Sequence, residues 1–135
     1  MHLRSAVLLA GTALAAAVTP VGAHHSFSAE FDASRPVTLK GVVNRIEWTN
    51  PHSHVYVDVK DDKGATTTWK FEMASPKALA QLGWKPTSLS VGDEVTVEGA
   101  MAKDGTTSAN ARTLTLANGR RVSAGSSGGD VAPPR

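Results

Sequence analysis

Residues 50–59, NPHSHVYVDV, set His52 and His54 two positions apart, and a second pair, His24 and His25, stands upstream in HHSF. Imidazole nitrogens bind late first-row transition ions, and a metal site in this chain must rest on histidine, carboxylate, methionine or backbone because there is no cysteine. Side chains of a strand alternate between faces, so a strand that begins at or before Pro51 projects His52 and His54 to one side, about 7 Å apart at Cα, within the span of one ion. That side is opposite to the one carrying Val55, Val57 and Val59. A chain beginning at His24 would add an α-amine to its imidazole, with His25 adjacent. Three or four nitrogen donors suit copper first and zinc second. Met73 and Met101 add thioether donors only if the fold brings them close. The competing reading is plainer: NPH is a turn, the two histidines are the polar side of a strand, and HHSF is a frayed terminus.

The start of the chain decides where such chemistry would take place. Residues 1–23 carry a basic beginning (His2, Arg4), an apolar run over residues 6–18, Pro20, and small residues in VGA. This is the pattern of a secretory signal peptide cut after Ala23, and the run is too short to cross a hydrocarbon core of about 30 Å as a helix. The expected protein is therefore periplasmic or secreted, with no stable membrane anchor after processing. It has no disulfides and depends on packing. Lys and Arg total 14 against 12 Asp and Glu, with one Arg in the excised segment and no run of like charges. Nothing in that balance marks a nucleic-acid surface.

Positioning the histidines falls to the elements around them. Residues 37–43 alternate apolar and polar positions, with Gly41 marking a bend or bulge. The valines of residues 55–59 make a second strand, DDKG a hairpin turn through Gly64, and ATTTWKFEM a third strand with Trp69 and Phe71 inward. The period then changes. Ser75 as N-cap, Pro76 at the first helical position, Leu79, Leu82 and the closing Gly83 spell a helix of about two turns. EVTVEGAM and ANARTLTLANG are strands four and five, and the lead-in aromatics Phe27 and Phe31 are expected to tuck against the barrel. The order predicts an all-β fold, a five-stranded OB-like Greek-key barrel with one short helix between strands 3 and 4. A flat α+β sandwich is the alternative. The domain organisation follows as residues 1–23 signal peptide, 24–119 barrel and 120–135 a flexible tail rich in Gly, Ser and Pro.

HHSF at the mature start, FD at Phe31 and Asp32, VTLKGVV, W-x-NPH over residues 48–52, GW at Gly83 and Trp84, and VGDEVTVEG together resemble the exported bacterial family known as domain of unknown function 6152. The resemblance covers residues 24–119. It implies a small secreted or periplasmic barrel and carries no assigned activity.

Other constellations point to less. The Asp61, Asp62 and Lys63 tip lacks the spacing of an EF-hand calcium loop. Ser26 beside His25 has no nucleophile elbow. Trp48, Trp69 and Trp84 read as core and barrel-end plugs. The expectation is a protein that binds rather than catalyses. One version is a copper- or zinc-binding module using His24, His25, His52 and His54. The other is a metal-free envelope accessory that meets a protein or small ligand through an exposed barrel face.

Overall fold

The computed structural model describes residues 27–125. Its elements are α1 (Phe27–Glu30), β1 (Phe31–Glu47), β2 (His54–Lys60), β3 (Thr66–Glu72), α2 (Pro76–Gln81), β4 (Glu94–Ala102), β5 (Ser108–Leu116) and β6 (Arg121–Ser123). The strands form one sheet in the order β3-β2-β1-β4-β5-β6, and a parallel pairing of β3 with β5 closes five of them into a ring. The all-β class and the closed ring agree with the alternation in the sequence. A flat sandwich is ruled out by the β3–β5 pairing.

The inward side of each strand supplies the core: Val43 from β1, Val55 and Val57 from β2, Phe71 from β3, Val95 and Val97 from β4, and Leu114 from β5. Burying side chains of this size is worth about 1.5–3 kcal/mol each relative to leaving them in water. The helix α2 forms where expected. The Ser75 side chain accepts from the Ala78 amide at 3.2 Å, and Leu79 joins the barrel core.

β1 does the work of two strands. Its first part pairs with β4 from Phe31 to Val42, and its last part pairs with β2 from Val42 to Glu47. The register slips between Val43 and Arg45, so Asn44 is the extra residue of a bulge. Gly41 was expected to mark a bend or bulge; the bulge falls at Asn44, and Gly41 itself lets the backbone of β2 approach, since a Cβ there would collide with the Asp58 carbonyl oxygen. Phe31 is buried against Ala100 and Ala102, with Phe27 packed beside it, so the lead-in lies on the barrel as expected.

One boundary needs correction. The expected flexible tail from residue 120 contains β6, which pairs with β5 through Arg121, Val122 and Ser123. The indole Nε1–H of Trp84 donates to the Ser123 carbonyl at 2.7 Å, and fully buried Ala124 exchanges backbone hydrogen bonds with Ala74 and Arg112. Composition hides this because the segment's anchors are main-chain groups. The signal-peptide reading of residues 1–23 and the remainder of the tail fall outside the described residues.

Candidate functional site

His52 and His54 project from one side of the barrel wall, as the alternation requires. The β2–β3 ladder continues past the start of β2: the Ser53 amide donates to the Ala74 carbonyl at 3.1 Å, and the Ser53 carbonyl accepts from the Met73 amide at 2.8 Å. Ser53 is wholly buried with Val55, so His52 and His54 fall on the opposite, outer face. The turn before them contains a cis Asn50–Pro51 bond, and the Thr49 hydroxyl donates to the His52 carbonyl. His52 is 28% exposed in its side chain and His54 18%, so both are half-covered yet open to one side.

Strand register brings carboxylates to them. Glu47 of β1 and Glu72 of β3 both stand directly opposite His54, giving a row Glu47, His54, Glu72 across three strands. His52 Nδ1 lies 3.4 Å from Glu72 Oε1, and His54 Nδ1 lies 3.8 Å from Glu47 Oε2. The next row holds Arg45, Tyr56 and Lys70. The Tyr56 hydroxyl donates to Glu47 Oε2 at 3.2 Å, Arg45 Nη2 is 3.3 Å from Glu47 Oε1, and the Arg45 guanidinium covers the Tyr56 ring at 4.0 Å. Burial first, then the Lys70 ammonium, holds His54 below the ordinary imidazole range; Glu47 pulls the other way and His52 adds to the lowering. That direction favours a neutral ring with an available lone pair.

A cleft of ≈ 520 Å³ adjoins this row. Glu72 and Lys70 line one wall, and Ala29, Glu30 and Phe31, at the start of the described chain, line another. The lead-in thus shares a cleft with Glu72 and Lys70, and neither histidine lines it. His24 and His25, and Ser26 with them, lie outside the described residues, so the geometry brings together His52 and His54 of the four expected ligands. Neither methionine joins them: Met73 is enclosed in the core, and Met101 Sδ accepts from Arg35 on β4's outer side. Among the described residues, no group of three or more His, Asp or Glu side chains is disposed to hold a metal ion.

Glu47 and Glu72 are the residues that sequence reasoning missed. A signal for Glu72 was present, because a tight DDKG hairpin pairs Lys60 with Thr66 and, counting back, His54 with Glu72. Glu47 had none, since its position opposite His54 depends on the bulge at Asn44. The remaining acids fit plainer uses. Glu94 pairs with Lys40 and Glu98 with Arg121 on the surface, and Asp61 accepts from the amides of Lys63 and Ala65 to shape the hairpin tip. The tryptophans serve packing: Trp84 meets Trp48 edge-on, and Trp69 stacks with Phe71.

No helix among the described residues is long and apolar enough to cross a membrane. Residues 11–111 match the family of unknown function DUF6152. No curated protein and no solved structure matches the chain.

Proposed function

Because the chain belongs to the family of unknown function DUF6152, whose description assigns no activity, we propose a function from the geometry: an exported binding module that holds one transition-metal ion, copper before zinc, on the outer face of β1, β2 and β3. The observation that carries this reading is that two imidazoles, His52 and His54, leave the same outer face side by side, with carboxylates behind them. Two nitrogens alone make a weak site, so the reading draws its further donors from His24 and His25. The described chain begins at Phe27, and Ala29 and Glu30 line the cleft that Glu72 also lines. Each residue of extended chain spans at most about 3.3–3.6 Å, which gives the preceding histidines a short tether to that cleft. Export follows from the signal-like residues 1–23, and an oxidising compartment suits Cu(II) with nitrogen ligands.

Calorimetric titration of residues 24–135 with Cu(II) and Zn(II) tests this. The expected result is one ion per chain, with copper the tighter, and an affinity loss of two orders of magnitude or more in the His52→Ala/His54→Ala variant. No binding, or binding unchanged in the variant, removes the reading.

A second reading has its own observation. The described residues alone do not assemble three ligands, and the cleft beside the row carries both signs of charge, from Glu30, Glu72 and Asp104 and from Lys70 and Lys103. A metal-free envelope module would use that cleft for a small ligand or a protein segment. In that case the titrations are silent and the cleft residues decide binding.

A further inference from the structure

We propose that Met101 is a site of reversible oxidation: a hydroperoxide converts its thioether to a sulfoxide, and the new oxygen accepts from the Arg35 guanidinium, fastening the outlying segment of β1 to β4. The proposal goes beyond the metal-binding reading and does not depend on it.

The chain has no cysteine, so methionine supplies all of its sulfur side chains. Of the two methionines among the described residues, Met73 is fully buried in the barrel core, whereas Met101 is partly exposed near the end of β4. Sulfur oxidation follows access, so a two-electron oxidant arriving from solvent reaches Met101 first.

The side chain beside Met101 gives that oxidation a consequence. Arg35 Nη2 donates to Met101 Sδ at 3.7 Å. A thioether is a weak acceptor, and the contact is longer than the roughly 2.7–3.2 Å of an N–H···O bond. An oxygen added on the side of the sulfur that faces Arg35 makes a charge-assisted bond in the shorter range. In the chemical step a sulfur lone pair attacks one peroxide oxygen, and the O–O bond breaks as the S–O bond forms. The departing hydroxide takes the proton of the transferred hydroxyl and leaves as water. Sulfur gives up two electrons and the peroxide accepts them.

The place of the contact in β1 decides what it controls. Asp32 stands opposite Met101 and Pro36 opposite Ala100, so residues 33–35 lie outside the β1–β4 ladder, and all three are exposed. The Ser34 amide and hydroxyl both donate to Asp32 Oδ1, closing those bonds within the segment, while Arg35 reaches across to β4. Just upstream, Phe31 stands opposite Ala102 and is buried against Ala100 and Ala102. The oxidation state of one sulfur thus sets how firmly the segment that follows the Phe31 lead-in is held to the barrel.

Hydrogen peroxide added to the folded protein, read by peptide mass spectrometry, should place one oxygen on Met101 at least about tenfold faster than on Met73, and at similar rates in denaturant. Amide hydrogen exchange reads the consequence. Residues 33–35 should exchange several-fold more slowly after oxidation and return to the starting rate on treatment with a methionine sulfoxide reductase and a thiol reductant. No slowing is expected in Arg35→Ala or Met101→Leu, and part of it should return in Arg35→Lys, which keeps a charged donor. Arg35 is exposed and leucine is close to methionine in volume, so these variants keep the fold. Equal oxidation of Met73 and Met101 in the folded protein would overturn the proposal. So would unchanged or faster exchange of residues 33–35 after oxidation, the same slowing in Arg35→Ala or Met101→Leu, or slowing that the reductase does not reverse.

Discussion

Asn44, the bulge residue of β1, has no partner opposite it in β2, and its side chain takes on a task across the strands. Its amide donates to Asp58 Oδ2 at 2.9 Å, and the Thr68 hydroxyl donates to Oδ1 at 2.6 Å. These two bonds, Asn44 first, hold the Asp58 carboxyl below the ordinary carboxylate range. A carboxyl with a depressed folded-state pKa contributes stability above its unfolded value of about 3.9, and that contribution is lost as pH falls through the folded value. Asn44→Ala should therefore raise the pKa of Asp58 and move the onset of acid unfolding to higher pH. A ¹³C carboxyl titration with parallel circular dichroism measures both; an unmoved Asp58 would mean that Thr68 suffices. Gly99 makes the steric counterpart, because a Cβ there would overlap the Asn110 carbonyl oxygen on β5. Gly99→Ala should cost about 1–3 kcal/mol in chemical denaturation.

At the scale of elements, the parts legible in the sequence are those whose signals are local. The helix α2 was written in Ser75, Pro76 and Leu79, and the Ser75 side chain does cap it. Ser75→Ala should lower stability by about 1 kcal/mol in urea denaturation, and Ser75→Asp should keep most of it. The β2–β3 hairpin was equally readable, since Gly64 takes φ +83° at its tip and the valines of β2 fall inward. The bulge at Asn44 was not placed, because Gly41 signals only that the strand bends or bulges and nothing in residues 42–47 marks Asn44 as the extra residue. That single slip decides that Glu47 faces His54, so half of the candidate site depended on a feature without a composition signal. β6 escaped for a related reason: two of its three residues are polar, and what holds the segment is backbone pairing and one indole.

For the whole molecule, closure of the ring is the event that fixes everything else. Alternating strands around a short helix foretold an all-β ring, while the β3–β5 pairing that completes it joins residues far apart in sequence. The contribution of β6 is also a property of the whole, because it ties β5 to the end of α2 through Trp84. Ending the chain after residue 119 should destabilise it by about 2–4 kcal/mol, from the lost backbone bonds and the buried indole donor left unpaired. A denaturation midpoint equal to that of the longer chain would show β6 to be dispensable. In this ring the outer face of β1, β2 and β3 brings His52 and His54 beside Glu47 and Glu72. The most direct test of its use is electron paramagnetic resonance of residues 24–135 loaded with one equivalent of Cu(II), beside the His52→Ala/His54→Ala variant. The account predicts a single tetragonal species with three or four nitrogen donors, which loses nitrogens and changes its hyperfine coupling in the variant. Identical spectra from the two proteins would contradict it, since the ion would then be held without the β2 histidines.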